Sequence, residues 1–227
     1  MRRVHSVTPH VAFLIPSAGE RGLANLARDA IAKFTTDVSH EVWLLDHPRG
    51  KPWPDNGSEA NGAALQAMLL GLGPDVTHVF AMHDDALPIR PGWLGYLLTK
   101  PGPVVALKIS QRSGFAHASG VLWDAEFIRE RITEIPADMP ARDVAEFPAS
   151  WAARWGCHRV LVNLLPVICE FENQWWRRFD CDVSYIEGSV AYLHFGGGTI
   201  GAGRENDAQR SRRVAAWIEA ARKGLAL

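Results

Sequence analysis

The sequence lacks the features that mark several specialised classes of protein. Its three cysteines are odd in number and form no CxxC pair, which argues against a disulfide framework and a four-sulfur zinc site. Its apolar runs stay short of the roughly 20 residues that span a bilayer, and no signal-peptide pattern follows the charged N-terminus. The formal net charge of -1 gives no global attraction to nucleic acid. We therefore expect reduced thiols, a cytoplasmic setting and no transmembrane segment.

What is present indicates one globular unit. The 227 residues are 47% hydrophobic and 22% charged, a balance that allows a sizeable core. We find no internal repeat and no linker-like boundary. The sequence therefore predicts a single domain over residues 1–227.

Strands and helices alternate in the first half of the chain. Short apolar runs predict strands, and apolar residues at helical spacing predict helices between them. The predicted strands cover 11–16, 41–46 and 77–82, and the predicted helices cover 23–34 and 60–70. This order predicts an α/β fold with a mostly parallel sheet flanked by helices.

The second half is less regular. It predicts strands at 104–110, 118–124 and 189–195, and helices at 125–131 and 208–223. Residues 131–150 show no clear period, and residues 158–180 fit a helix and a buried strand equally well.

Polar residues follow each of the first three predicted strands. They are Ser17 to Glu20, Asp46 with His47, and the triplet His83-Asp84-Asp85. Ligands of such sheets bind outside the carboxyl ends of the strands. A divalent cation bridging to a diphosphate would neutralise carboxylates in that position. A simple turn or helix cap is the alternative for the triplet.

Four segments resemble the GT-A glycosyltransferases, especially family 2. The surroundings of the DXD motif are similar to THVFAMHDDALPIRPGWLGYL, and the first strand and helix are similar to VAFLIPSAGERGLANLARDAI. The second strand is similar to EVWLLD, and the helix opening rich in Asn and Gly is similar to NGSEANGAALQAML. The resemblance implies a GT-A fold and a metal-dependent hexosyltransferase that uses a nucleotide-diphosphate sugar and inverts the anomeric carbon. It also implies a nucleotide-binding half, about residues 1–100, and an acceptor-binding half, about residues 101–227.

The same resemblance implies a metal site for Mn²⁺ or Mg²⁺. Asp85 falls on the last acidic position of the motif, the usual ligand, and His83 replaces the first acid. His194, in YLHFGGGT, matches a late-strand ligand, with a structural histidine as the alternative. Imidazole favours Mn²⁺ over Mg²⁺. Asp84, the middle residue, is expected to face the sugar and is a candidate catalytic residue.

Other residues match the positions that hold the UDP or GDP moiety of the donor. The candidate nucleotide-binding residues are Pro16, Ser17, Ala18, Glu20, Asp46, Asn61 and Asp84. Asp46 suits this role because a carboxylate accepts hydrogen bonds from ribose hydroxyls or from a uracil N–H. Its alternative is a strand cap.

The general base of an inverting transfer is expected to be Glu172, in CEFENQWWRRF, with Asp143 and Glu146 as rivals. Tryptophans offer stacking surfaces for a sugar or an acceptor, although most tryptophans fill cores. The candidates are Trp93, Trp151, Trp155, Trp175 and Trp176. The sequence does not identify the acceptor, which is a glycan, protein, lipid or nucleic acid.

Other functions remain as alternatives. A sugar nucleotidyltransferase is disfavoured because the segment SAGERGL has too few Gly, Arg and Lys residues for a loop that binds a triphosphate. A dehydrogenase is disfavoured because no GxGxxG follows the first strand. A catalytically inactive sugar- or nucleotide-binding protein of the same fold stays open because His83 replaces an acid. So does a metal-dependent hydrolase that uses His47, His83, Asp85 and His194.

Overall fold

A computed structural model describes seven ranges of the chain. These are residues 8–47, 57–107, 119–130, 158–160, 174–179, 181–195 and 207–227. None of the helices in these ranges combines the length and the apolar character that crossing a membrane requires.

Nine strands and five α-helices lie within the described ranges. The strands are β1 (His10–Ser17), β2 (Ser39–Asp46), β3 (His78–Ala81), β4 (Ala86–Pro88), β5 (Val104–Ala106), β6 (Val121–Asp124), β7 (His158–Val160), β8 (Asp182–Ile186) and β9 (Ser189–His194). The helices are α1 (Arg21–Phe34), α2 (Gly57–Leu70), α3 (Trp93–Leu98), α4 (Ala125–Arg129) and α5 (Asp207–Leu225). A 3-10 helix covers Trp175–Arg178.

The main sheet has six strands in the order β2-β1-β3-β6-β5-β7. β1 pairs in parallel with β2 and β3, and β5 pairs in parallel with β7. β6 runs antiparallel to both of its neighbours, so the other five strands share one direction. The predicted α/β fold with a mostly parallel sheet is confirmed.

The central strand β1 is buried on both faces, as its continuous apolar run requires. Val11, Phe13 and Ile15 face a core made with α1, α5 and the second sheet, and Ala12 and Leu14 face a core made with α2 and α4. The alternation follows from the two-residue period of a strand. The main sheet is therefore a rigid layer between two apolar cores.

A second, three-stranded antiparallel sheet has the order β4-β9-β8. Only β9 was predicted from the sequence. β4 comes from the first half of the chain, whereas β8 and β9 form a hairpin in the second half. This small sheet therefore joins the two halves beside the end of β3.

Candidate metal centre

The carboxyl ends of three neighbouring strands lie together at one edge of the main sheet. Ser17 ends β1 and pairs in register with Asp46 at the end of β2. The N–H of His47 donates to the Ser17 carbonyl at 2.8 Å. β3 pairs with the other side of β1, which brings residues 83–85 to the same edge. The polar residues predicted to meet there do so.

A buried hydrogen bond joins the residues that follow β1 and β3. The Ser17 hydroxyl donates to Oδ2 of Asp84 at 2.8 Å, and the two residues are 0% and 2% exposed. The N–H of Gly19 donates to the Ser17 hydroxyl at 3.3 Å. One oxygen of Asp84 is thus committed to β1. The sugar contact expected of Asp84 remains a prediction.

Three candidate ligands converge next to this bond. One ligand atom each from His83, Asp85 and His194 lies within 4.8 Å of the other two. Nε2 of His194 is 3.3 Å from Nδ1 of His83 and 3.3 Å from Oδ1 of Asp85. Asp85 and His194 are buried and His83 is partly buried. The residues predicted as metal ligands therefore form one compact group.

The spacing and chemistry of this group fit a divalent cation. Two ligands about 2.1 Å from a cation are about 3.0 Å apart at right angles and about 3.4 Å apart in a tetrahedron. The two measured separations of 3.3 Å fall in that interval. Two imidazole nitrogens and one carboxylate oxygen suit Mn²⁺, Zn²⁺ or Fe²⁺ better than Mg²⁺.

Backbone pairing between the two halves holds the group together. Ala86 of β4 pairs in register with His194 of β9. The N–H of Phe195 donates to the Asp85 carbonyl at 2.9 Å. Asp85 and His194 are far apart in the chain, so this ladder fixes their separation.

A buried pair of hydroxyl groups lies beside His83. The N–H of His83 donates to the Ser119 hydroxyl at 3.4 Å, and that hydroxyl lies 3.5 Å from the Tyr192 hydroxyl. Burial raises the pKa of Tyr192 well above its ordinary range. The phenol therefore stays protonated and adds no charge to the centre.

Asp182 is a neighbour of the centre that the sequence analysis missed. Its Oδ2 lies 3.1 Å from Nδ1 of His194, the ring nitrogen on the side away from Asp85. The only local signal was Gly188 between two alternating segments, because glycine suits the second position of a type I′ hairpin turn. A hairpin with that turn brings residue 182 next to the end of β9.

The candidate nucleotide-binding residues at the ends of β1 and β2 lie along the same edge. Pro16, Ser17 and Ala18 are buried at the end of β1, and Asn61 is partly buried on α2. Asp46 forms an ion pair with Arg21 in which both side chains are exposed. Their roles in binding remain predictions.

Glu20, the next candidate, is engaged with the C-terminal helix. Oε1 of Glu20 lies 2.7 Å from Nη1 of Arg210, whose side chain is 6% exposed. Glu20 therefore connects the loop after β1 to α5. A direct contact of Glu20 with a nucleotide would have to coexist with this ion pair.

The candidates for the general base and two of the tryptophan candidates lie outside the described residues. Glu172, Asp143, Glu146, Trp151 and Trp155 all lie outside.

Trp93 fills the core, the alternative given for the tryptophans, and offers no stacking surface for a sugar. It is 1% exposed, and its Nε1–H donates to the Thr35 hydroxyl at 3.1 Å. Trp175 packs on Trp217 with ring centroids 4.9 Å apart, so its ring belongs to the packing against α5.

Comparisons with known proteins identify the fold. No protein-family model and no curated protein sequence matches the chain. The chain is similar to the galactosyltransferase LgtC in complex with donor and acceptor sugar analogues, with a TM-score of 0.50 and 12% identity over 94% of this chain and 95% of that one. The catalytic domain of Drosophila β1,4-galactosyltransferase 7, in complex with xylobiose, matches with a TM-score of 0.45 and 11% identity over 91% and 99%. The chain has the fold of the GT-A glycosyltransferases, as its sequence resemblance implied.

Proposed function

We propose that the chain is a metal-dependent glycosyltransferase that takes a sugar from a UDP- or GDP-linked donor. The observation that carries this proposal is the convergence of His83, Asp85 and His194 at the carboxyl edge of a GT-A sheet. That edge is where an open α/β sheet binds its ligands. The proposal assigns the centre to the diphosphate of the donor.

In this proposal Asp85, His83 and His194 would hold Mn²⁺, and Asp84 would position two of them while remaining the candidate for the sugar contact. A cation held there would supply positive charge to offset the negative charge that develops on the leaving diphosphate. Asp84 lies between two of the ligands, and its bond to Ser17 fixes the chain there. The ligands are thus placed before the donor arrives, which reduces the ordering required on binding.

The nucleotide would extend along the ends of β1 and β2. Asp46 is the candidate for contacts with ribose or base, and Arg21 occupies its carboxylate in the structure. Exposed ion pairs of this kind contribute about 0–1 kcal/mol. Replacing the contact with Arg21 by a hydrogen bond from the nucleotide is therefore a small cost.

The transfer step and its stereochemistry follow from the resemblance. In an inverting transfer a carboxylate takes the proton of the acceptor hydroxyl as its oxygen attacks the anomeric carbon, and the bond from that carbon to the diphosphate breaks. We assign the carboxylate to Glu172, and acceptor binding to the second half of the chain.

Calorimetric titration with UDP and GDP, with and without Mn²⁺, tests the proposal. One nucleotide should bind the wild-type protein only with Mn²⁺, because the diphosphate completes the coordination. Asp85→Asn should lose at least tenfold in affinity with Mn²⁺, because an amide replaces a charged ligand. Asp75→Asn, an exposed aspartate in the turn before β3, is the matched control and should bind as the wild type does.

The alternatives give different results in the same titration. Tight binding of Mn²⁺ or Zn²⁺ without nucleotide would favour the hydrolase. His47 is not a member of the group of three ligands in the described part of the chain, which weakens that alternative. Absence of metal-dependent nucleotide binding would contradict the proposal and favour an inactive protein. If one nucleotide does bind with Mn²⁺, release of UDP or GDP from sugar donors in the presence of Mn²⁺ separates a transferase from a protein that only binds nucleotide.

A further inference from the structure

The two ring nitrogens of His194 face different groups. Nε2 faces the centre, 3.3 Å from Asp85 and 3.3 Å from His83. Nδ1 faces away from it, toward Oδ2 of Asp182 at 3.1 Å. A neutral imidazole carries its proton on one nitrogen and a lone pair on the other. Nε2 of His194 can bind a cation only when the ring proton is on Nδ1, so the group that accepts a hydrogen bond from the ring decides whether it can.

We infer that Asp182 is a positioning residue that holds the proton of His194 on Nδ1 and so directs the Nε2 lone pair into the metal centre. The inference rests on the proposed function and adds to it a residue outside the predicted ligand set. A carboxylate that accepts a hydrogen bond from a ligating imidazole fixes its ring and tautomer and raises its basicity as a ligand. Asp182 meets the geometric requirement for that role.

The β8–β9 hairpin brings this contact about through its register. Its two turn residues, Glu187 and Gly188, have φ values of 51° and 77°. Both values are positive, as a type I′ turn requires. Next to the turn, Ile186 pairs with Ser189. If that register continued unbroken, Asp182 would lie opposite Leu193.

An irregularity in β9 changes the partner of Asp182. Tyr185 pairs with Val190, but Ser184 pairs with Tyr192, so Ala191 is an extra residue on β9. Beyond this bulge Asp182 lies opposite His194. Directly opposed residues of an antiparallel pair point to the same face of the sheet, and a shift of one residue reverses the face. The bulge therefore brings the carboxylate and the imidazole together.

The bulge also serves the other side of β9. The N–H of Ile89, directly after β4, donates to the Ala191 carbonyl at 3.0 Å. β4 then aligns Ala86 with His194. One strand thus presents His194 to Asp85 through one neighbour and to Asp182 through the other. Bulges commonly occur where a side chain must be re-aimed near a functional site.

Burial distinguishes the two carboxylates. The side chain of Asp85 is 5% exposed and that of Asp182 is 58% exposed. An exposed carboxylate keeps most of its hydration, so it orients the imidazole at a small desolvation cost. Asp85 lies on the buried side with His83. This division suits a ligand on one side of His194 and an orienting group on the other.

Mn²⁺ binding measures the effect on the centre. Free Mn²⁺ is followed by electron paramagnetic resonance during titration of the protein with a saturating level of the nucleotide that the wild type prefers. Asp182→Ala should weaken Mn²⁺ binding by about 10- to 100-fold. Asp182→Asn should lose less, because the amide oxygen still accepts the Nδ1–H bond although the charge is gone. Glu187→Gln removes one negative charge from the tip of the same hairpin and should change the affinity less than twofold.

Nitrogen-15 spectra of the histidine rings, recorded without metal or nucleotide, give a second readout. His194→Gln assigns the signal. In the wild type and in Asp182→Asn, residue 182 accepts from Nδ1 and competes with Asp85 at Nε2, so the signal should carry a larger share of the Nδ1–H form than in Asp182→Ala. In Asp182→Ala it should move toward the Nε2–H form. A residue that only filled space would leave the ring tautomer unchanged.

The two measurements separate failure of this inference from failure of the proposed function. The role of Asp182 would be overturned if Asp182→Ala and Glu187→Gln changed Mn²⁺ affinity equally, or if Asp182→Ala left the ring tautomer unchanged. Either result would leave the transferase proposal standing. A wild-type protein that binds no Mn²⁺ with any nucleotide would overturn the proposed function and the metal-directed role together. The ring spectra would then show whether Asp182 orients a structural histidine.

Discussion

Ser17 and Asp84 form a deeply buried polar contact at the carboxyl edge of the main sheet. A buried carboxylate is costly unless hydrogen bonds replace its lost hydration. The Ser17 hydroxyl supplies one such bond at 2.8 Å, and Ser17 is fully buried. Because Asp84 lies between His83 and Asp85, this bond supports both stability and the placement of ligands.

Ser17→Ala should destabilise the metal-free protein by about 1.5–3 kcal/mol, the contribution of a hydrogen bond to a charged group. Urea unfolding measures the change as a shift in midpoint. Ser211→Ala, at an exposed position on α5, should stay within about 0.5 kcal/mol of the wild type. Equal effects of the two substitutions would show that the bond to Asp84 does not support the fold.

Among the residues of the metal centre, the sequence revealed those that directly follow a strand, but not those that reach the centre through pairing of distant strands. His83 and Asp85 were recognisable because a polar triplet follows an apolar strand. His194 was recognisable only through the family resemblance. Asp182 was missed because an exposed aspartate is unremarkable until β8 is paired with β9. The choice between sugar stacking and core filling stayed open for Trp93 because burial of an aromatic ring depends on tertiary packing.

The β8–β9 hairpin shows how one element controls the geometry of the centre. Glu187 adopts a φ of 51° in its turn, although a residue with a side chain other than Asn or Asp disfavours that region. Asn-Gly is the preferred pair for a type I′ turn. The turn therefore has a suboptimal first residue and a suitable second one.

Glu187→Asn should stabilise the protein by about 0.5–1 kcal/mol, because Asn tolerates the left-handed region better than Glu does. For a chain of this size that gain corresponds to a rise of about 1–4 °C in the melting temperature, which calorimetry detects. Mn²⁺ affinity should stay the same because the register is unchanged. A lower melting temperature would indicate that the Glu187 side chain makes contacts that outweigh the backbone strain.

Element prediction succeeded before residue 83 and missed two of the three strands of the small sheet. The five strands and helices predicted before residue 83 all formed, with ends within three residues of their predicted positions. β4 was missed because three residues ending in proline carry no periodic signal. β8 was missed because the Glu-Gly turn was not recognised. Both strands depend on pairing with β9, which local sequence does not encode.

Over the whole molecule, the C-terminal helix supports the centre from behind β9. Phe195, directly after His194, stacks on Trp217 of α5 with ring centroids 4.6 Å apart and planes 5° apart. Trp217 also contacts Phe179 and Trp175. The sequence predicted this helix, but periodicity gave no information about what the helix contacts.

Trp217→Ala should destabilise the protein by about 3–5 kcal/mol, because it removes a fully buried ring and leaves a cavity. Urea unfolding measures the loss. Arg212→Ala, at an exposed position on the same helix, should change stability by less than about 0.5 kcal/mol. A small effect of Trp217→Ala would mean that the surrounding aromatic rings collapse into the space, and that α5 contributes little to the core.

The small sheet draws β4 from early in the chain and β9 from late, and the ring contact between His83 and His194 joins residues 111 positions apart. Closing so long a loop costs conformational entropy, and contacts between residues so far apart in the chain form late in folding. In the cell, a nascent chain or a truncated copy would expose the ligand residues without assembling them. Under the proposed function, nucleotide and metal would bind only completed molecules and, at a free-ligand concentration of 100 times Kd, would stabilise them by about 2.7 kcal/mol. Donor supply would thereby influence how much folded protein persists.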